Sequence, residues 1–180
     1  GLQFFDGGGI AVQNSSPTIT NNVIRNNQAC SGAGIRISFG SPLIQLNTIT
    51  NNGNAGTTFC SGGGGGGISI NGAGSAEILD NVISDNVSTI GAGICLSAVG
   101  TPIIKRNVIK GNIVSLGGNG GGILSVNNSS PLIVQNIITG NQASNGGGVY
   151  WSASNGVRGP ILLNNTIADN DAPLMGSGIF

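Results

Sequence analysis

Charged residues are few in this chain, and one small group of them has a spacing that could support acid–base chemistry. Glu77 and Asp80 lie close together in the sequence, and Arg106 follows one repeat later. Two carboxyl groups at a fixed separation can hydrolyse a glycosidic bond, and a base beside a cation can promote elimination. The same residues also fit an exposed ion pair of small energetic weight, which is the interpretation we favour.

The sequence lacks the residues that histidine catalysis, metal binding or a phosphate loop would need. Histidine is absent, which excludes catalysis by histidine and metal sites with histidine ligands. No cysteine pair has metal-ligand spacing, so we expect no metal and no cofactor. The glycine run TTFCSGGGGGGI, residues 57–68, lacks the Gly-Lys-Ser/Thr ending of a phosphate loop, and we interpret it as an inserted corner loop.

Net charge and hydropathy bear on the partners. Six basic and six acidic residues give a formal net charge of zero. Because nucleic-acid binding depends on a basic surface, we expect no nucleic-acid partner. No uninterrupted apolar run reaches the roughly 18 residues of a membrane helix, so we expect no transmembrane segment.

A repeated phrase determines the elements that must position these residues. NNVIRNN at residues 21–27 returns in forms such as RNVIKGN and NNTIADN, each preceded by a glycine signature such as GGGI or GAGI. An isoleucine follows the first asparagine by two positions, and a second asparagine follows it by five. The first asparagines are Asn22, Asn47, Asn81, Asn107, Asn136 and Asn165, and the second are Asn27, Asn52, Asn86, Asn112, Asn141 and Asn170.

Each repeat contains three short stretches rich in β-branched residues, closed by Gly, Pro, Asn or Ser, which predicts three short strands. Stacked repeats of this kind predict a single all-β domain, residues 1–180, folded as a parallel β-helix of triangular cross-section. We expect about six rungs, beginning near residues 7, 32, 65, 91, 120 and 146, with a partial seventh from 176. Isoleucine columns would fill the interior, and the asparagines would form hydrogen-bonded ladders.

The N-x-I-x-x-N units between G-x-G-I strands resemble the right-handed parallel β-helix (solenoid) repeats of pectate-lyase-like proteins. They are most similar to the glycine- and asparagine-rich versions in large secreted or surface-anchored bacterial proteins. The resemblance covers residues 7–180 and implies the fold. It implies no single activity, because that superfamily includes lyases, hydrolases, epimerases and adhesins.

The cysteines suggest a compartment. Cys30 and Cys60 both precede a glycine signature, in the same corner of consecutive rungs, so a disulfide is sterically feasible. We predict that bond, which implies an oxidising setting, extracellular or at the cell surface. Two unrelated thiols are the alternative. Cys95 follows Ile94 at an outward position and is expected to be free.

One outward face becomes apolar toward the C-terminal half. A covering partner is expected, because such a face exceeds what a monomer usually exposes. The partner would be another chain, another part of a longer parent or, less readily, a lipid surface. A register error of one residue on this strand would reverse the assignment. The face consists of Ile103, Leu132, Val134, Ile161 and Leu163.

Aromatic residues are scarce. Tyr150 and Trp151 are adjacent in a predicted strand, so they should point to opposite sides and only one could contact a sugar; packing under a neighbouring loop is the alternative.

Neither end of the chain carries a polar cap. We therefore expect either a segment of a longer solenoid or end-to-end stacking, with Phe4, Phe5 and Phe180 at the joint.

Three functions fit these observations. The first is a non-catalytic extracellular structural module that self-associates into a fibre or adheres through its flat faces. The second is a carbohydrate-active enzyme or a carbohydrate-binding β-helix, with a polysaccharide as its partner. The third is an ice-binding solenoid, which needs a regular threonine array. Only one rung supplies that array, through Thr48 and Thr50, and Arg25 and Lys110 interrupt the same face.

Overall fold

The computed structural model of the chain describes residues 7–53, 64–72, 74–115, 117–153 and 157–180. Regular structure in these segments consists of short strands, and none of the segments contains a helix. Strands of two to four residues are what the sequence favours, since β-branched residues alternate with turn-forming Gly, Pro and Asn too closely for a helix. The expected all-β fold is therefore present.

Eighteen of the strands form three parallel six-stranded sheets, and each rung contributes one strand to each sheet. The first sheet contains β1 (Ile10–Gln13), β4 (Ile35–Ser38), β7 (Ile68–Asn71), β11 (Ile94–Ser97), β15 (Ile123–Val126) and β18 (Val149–Trp151). The second contains β2 (Thr18–Thr20), β5 (Leu43–Gln45), β8 (Glu77–Leu79), β12 (Ile103–Lys105), β16 (Leu132–Val134) and β19 (Ile161–Leu163). The third contains β3 (Val23–Arg25), β6 (Thr48–Thr50), β9 (Val82–Ser84), β13 (Val108–Lys110), β17 (Ile137–Thr139) and β20 (Thr166–Ala168). The two remaining strands, β10 (Val87–Ser88) and β14 (Ile113–Val114), pair with each other.

The core is a set of isoleucine columns. Every strand pairs in parallel with the equivalent strand of the next rung, so Ile104 lies between Ile78 and Ile133. These side chains are fully buried, as are Ile83, Ile109 and Ile138 in the third sheet. Stacking identical side chains at the inter-strand spacing fills the interior with few rotamer choices, so the repeat itself provides the close packing.

Two asparagine ladders run beside these columns. In the first, each amide Nδ2 donates to Oδ1 of the asparagine one rung further on, at 2.9–3.0 Å from Asn22 through to Asn165. In the second, the same bonds run from Asn27 through to Asn170 at 2.9–3.1 Å. Each inner amide also donates to the carbonyl of a core isoleucine, as Asn112 does to Ile83. The buried polar groups of the corners are thus paired.

The chain turns each corner through left-handed backbone. The glycine that opens each rung has positive φ, and at Gly32 an added Cβ would lie 2.7 Å from the carbonyl oxygen of Ile35. Only glycine avoids both the strain and the contact at this corner. The two other corners use positive φ as well, but mostly at residues with side chains, including Leu46, Asp80 and Arg106.

Candidate functional site

The charged pair expected from the sequence lies on the corner between the second and third sheets. Asp80 and Arg106 follow β8 and β12 directly, and both have left-handed backbone, with φ of 56° and 54°. Arg106 Nε donates to Asp80 Oδ1 at 2.6 Å and Nη2 donates to Oδ2 at 2.7 Å. Gln45 Nε2 donates to the same Oδ2 at 3.2 Å. The hydrogen bonds from Arg106 lower the pKa of Asp80, despite the opposing effect of desolvation.

Glu77 and Lys105 stay outside this pair. Both side chains lie on the outer face of the second sheet, and no ion pair links these two described residues. Both carboxylate oxygens of Asp80 are engaged by Arg106. The structure therefore joins Asp80 and Arg106 as an ion pair and does not assemble Glu77 with them into an acid–base site.

The outer face of the second sheet carries two columns of side chains. We call them outer column one (Thr18, Leu43, Glu77, Ile103, Leu132, Ile161) and outer column two (Thr20, Gln45, Leu79, Lys105, Val134, Leu163). The residue between them is buried on every strand except β19, where Leu162 is half-buried, so the outward register expected for this strand is correct. The five apolar residues of the expected face are partly covered rather than fully exposed: Leu163 is 49% exposed and the other four are half-buried.

The two adjacent aromatic residues separate as strand geometry requires. Trp151 is half-buried and packs against the hydrophobic core, as the packing alternative expected, and carbohydrate contact by either residue stays a prediction. Tyr150 lies on the outside of the first sheet, where its ring stacks on Phe180 with centroids 5.4 Å apart. Tyr150 also borders a groove of about 370 Å³ that is lined by Leu124, Val126, Asn119, Asn127 and Ser152 among others.

Cys30 lies in the corner before β4, and Cys95 lies in β11 of the first sheet. Cys95 is free, and it does not lie on the open surface that its outward position suggested, because it is only 6% exposed. A Cβ on Gly64 would lie 2.6 Å from its sulfur, which shows how closely the adjoining corner covers it. Burial raises the pKa of the Cys95 thiol to about 12. Cys60 lies outside the described residues, so the Cys30–Cys60 bond stays a prediction.

Other expectations fall on parts of the chain that the structure does not describe. Phe4 and Phe5 lie there, as does most of the glycine run at 57–68. Phe180 is described and is 43% exposed beside Tyr150. The end-to-end joint therefore stays a prediction.

Sequence reasoning missed the groove beside Tyr150 and the chemistry of the corners. The positions before the first ladder asparagines hold Asn21, Leu46, Asp80, Arg106, Gln135 and Asn164, all with φ between 54° and 58°. Asparagine and aspartate there are a recognisable signal for left-handed backbone. Leucine, arginine and glutamine in the same column concealed it.

The described segments contain neither a cluster of metal ligands nor a membrane-spanning helix. Within them, no group of three or more potential ligands among His, Cys, Asp and Glu could hold a metal ion. No helix in the same segments is long and apolar enough to cross a membrane.

Comparison with known proteins bears on the fold. No curated protein and no solved structure matches the chain. The family model described as "Right handed beta helix region" matches residues 60–180, which is more than half of the chain. That match agrees with the three parallel sheets and their in-register columns. The chain belongs to the right-handed β-helix family.

Proposed function

We propose that this chain is a non-catalytic structural module of an extracellular or cell-surface protein, and that it associates side by side with a second copy through the second sheet. One observation carries the proposal: the strands that hold the apolar half of the outer face pair in parallel and in register, so these side chains keep the rung spacing. The residues are Ile103, Leu132, Val134, Ile161 and Leu163. A surface with a fixed repeat of about 4.8 Å fits best against another with the same repeat, and a second copy supplies one.

A two-fold axis parallel to the solenoid axis gives the best match. It keeps each rung level with the same rung of the second copy and exchanges the two outer columns. Leu132 then faces the second copy's Val134, and Ile161 faces its Leu163. Lys105 is then offset by one rung, about 4.8 Å along the axis, from the second copy's Glu77, and the two long side chains can meet across the interface. Within one chain the two residues form no ion pair.

The interface would be small. Six rungs at about 4.8 Å and a strand width of about 10 Å give a face of roughly 300 Å², well below the 800 Å² per partner of a standard interface. This area also lies within what a monomer exposes, contrary to the expectation from the sequence, so the matching rung spacing and not the area supports a partner. Association should therefore be weak, with a Kd on the order of 100 µM. Such an interface suits a surface protein present in many aligned copies, where avidity adds to each contact.

Sedimentation equilibrium over a concentration series tests the proposal. The wild-type chain should show a reversible monomer–dimer equilibrium. Val134→Lys should weaken association at least tenfold, because it places an unpaired charge opposite Leu132. Thr139→Lys is the matched control, since it adds the same charge in the same rung on the third sheet and should leave association unchanged.

Charge exchange tests the two-fold geometry itself. Glu77→Lys and Lys105→Glu should each weaken association about fivefold, because each puts like charges together. The double exchange should restore it. A chain that stays monomeric at millimolar concentration would overturn self-association through this face. Open-ended rods in electron micrographs would favour end-to-end stacking instead.

The extracytoplasmic setting is supported by the predicted Cys30–Cys60 bond. The chain has three cysteines, so denatured, unreduced protein should expose a single thiol. That thiol should belong to Cys95, which burial protects in the folded state. Three titratable thiols in protein isolated from its native compartment would contradict the bond.

A second candidate function is carbohydrate binding in the groove beside Tyr150. The groove is lined by the apolar residues Leu124 and Val126 and by the amide side chains of Asn119 and Asn127. Uncharged amides and hydroxyls beside an aromatic ring suit the hydroxyl groups of a neutral sugar. Screening against a glycan array should then give hits that Asn119→Ala abolishes and Asn21→Ala retains. Hits that survive Asn119→Ala would count against this groove.

A further inference from the structure

A second groove lies on the outer face of the second sheet and combines an apolar floor with one cation. Its lining comprises Thr101, Ile103, Ser130, Leu132, Arg158, Gly159 and Ile161, and its volume is about 310 Å³. The floor is the apolar end of outer column one, in which Ile103 pairs with Leu132 and Leu132 with Ile161. This floor extends over two rung spacings, or about 10 Å.

Arg158 supplies the polar end. The Ser130 hydroxyl donates to the Arg158 backbone carbonyl and so fixes this segment against the next rung. The Arg158 side chain is exposed, and it forms no ion pair with a carboxylate among the described residues. The guanidinium is therefore available to a ligand, and it always carries its charge.

We propose that this groove binds an unbranched medium-chain amphiphile with a single anionic head, such as a free alkyl carboxylate. The head group would accept hydrogen bonds from the Arg158 guanidinium, and the chain would lie on Ile103, Leu132 and Ile161. An alkyl chain of about eight carbons spans the 10 Å floor, given a carbon–carbon bond of about 1.5 Å in zigzag.

Charge distinguishes a free amphiphile from a membrane surface. Recognition of an anionic membrane uses clusters of about four to eight basic residues. This groove has one lining cation, and the whole chain has a formal net charge of zero. One guanidinium beside a short apolar floor matches one head group with one chain.

Chain length gives the sharpest test. Isothermal titration with hexanoate, octanoate, decanoate and dodecanoate, each below its micelle concentration, should give saturable binding. Affinity should rise about fourfold for each added CH₂ that contacts the apolar side chains of the groove, since that is the effect of burying one methylene. Beyond about eight carbons the affinity should level off, because further carbons extend past Ile103, Leu132 and Ile161. A continued rise would indicate non-specific partitioning and would overturn the groove assignment.

A substitution separates the head from the tail. Arg158→Gln should weaken octanoate binding at least tenfold and leave 1-octanol binding unchanged. Arg25→Gln, which removes an exposed cation from the third sheet, is the matched control and should change neither. Leu132→Gln should weaken both ligands, because it removes the middle of the floor. The proposal would be overturned if Arg158→Gln left the affinity for octanoate unchanged, or if no member of the series bound saturably.

This inference does not rest on the proposed self-association. The titrations are run at protein concentrations where the chain is monomeric, so octanoate binding can succeed where dimerisation fails. If both occur, they compete for Leu132 and Ile161. Octanoate should then raise the dimer Kd in wild type but not in the Arg158→Gln variant.

Discussion

At the scale of single residues, the left-handed corners set the local conformational strain. Asparagine, aspartate and glycine tolerate positive φ, whereas a leucine side chain meets its own backbone there. Leu46 has φ of 57° in the same column as Asn21 and Asp80. Its side chain is 52% exposed, so little packing offsets the strain.

Leu46→Asn should therefore stabilise the protein. We expect the free energy of unfolding to rise by about 0.5–1 kcal/mol, because asparagine adopts this backbone more readily than leucine. Urea titration followed by circular dichroism measures the change. Leu43→Asn is the matched control, since Leu43 lies in the extended strand β5 and should give no gain. Equal effects at both positions would mean that backbone strain is not the cause.

The Asp80–Arg106 pair predicts a pH dependence. Its hydrogen bonds lower the folded-state pKa of Asp80 below the unfolded value, near 3.8. The stability from this pair is therefore complete above that value and is lost as the pH falls through the folded-state pKa. Asp80→Asn should lower the urea midpoint slightly at pH 7, and the difference from wild type should disappear toward pH 2.

A double substitution provides the control for this pH effect. Asp80→Asn with Arg106→Gln should be no less stable than Asp80→Asn alone, because the partner charge has already lost its function. A wild-type advantage that persists at low pH would show that packing, not the ion pair, stabilises this corner.

Residue-scale prediction from the sequence succeeded where a position repeats its chemistry and failed where it varies. Asparagine and isoleucine recur at fixed offsets, so the ladders and the core columns could be expected. The position before each first-ladder asparagine holds Leu46 and Arg106 in two of the rungs, so its left-handed backbone could not be predicted. Arg158 belongs to the segment between β18 and β19, which is longer than the equivalent segment of the other rungs, so no repeated position predicted the groove.

At the scale of the elements, the ladders join strands that would otherwise leave buried polar corners. Asn112 is fully buried, and its Oδ1 accepts from both the backbone nitrogen and Nδ2 of Asn86. Its own Nδ2 donates to Ile83 and to Asn141. One side chain therefore pairs with polar groups on the rung before its own and on the rung after it.

Asn112→Ala should cost about 3–5 kcal/mol of unfolding free energy, because it leaves donors of Asn86 and the Ile83 carbonyl without partners in a dry interior. Asn22→Ala is the matched control at the exposed end of the first ladder and should cost under about 1 kcal/mol. Chemical denaturation of both variants gives the comparison. Equal losses would show that the ladder acts through local turn propensity rather than through buried hydrogen bonds.

Strand order and register were predictable because period-two alternation fixes which side of each strand is buried. The alternation did not predict which neighbouring segments cover an outward side chain. Cys95 follows the alternation, yet the adjoining corner buries it, and Trp151 takes an inward position that the neighbouring rung fills with the much smaller Ser125. Both outcomes depend on loops between strands, whose paths the alternation does not determine.

At the scale of the whole molecule, the solenoid tolerates rungs of unequal length because insertions occur at corners while the strands stay in register. Ladder partners are separated by 25 residues at Asn22 and by 34 at Asn47. Each rung contacts only its neighbours, so stability should be close to a sum over rungs and their interfaces.

Removing one complete rung tests that view. Deleting residues 107–135, which equals the 29-residue spacing between Asn107 and Asn136, joins Arg106 to Asn136 and keeps every column in register. The shortened chain should fold, with an unchanged circular dichroism spectrum per residue and a urea m-value lower by about one sixth. Deleting residues 108–135 instead leaves one extra residue before β17. The register of that strand then shifts by one, so that Ile138 points to solvent and Ile137 points to the core. That variant should lose its cooperative transition. If both deletions fold equally well, corner loops rather than side-chain register absorb the difference, and the columns do not set the fold.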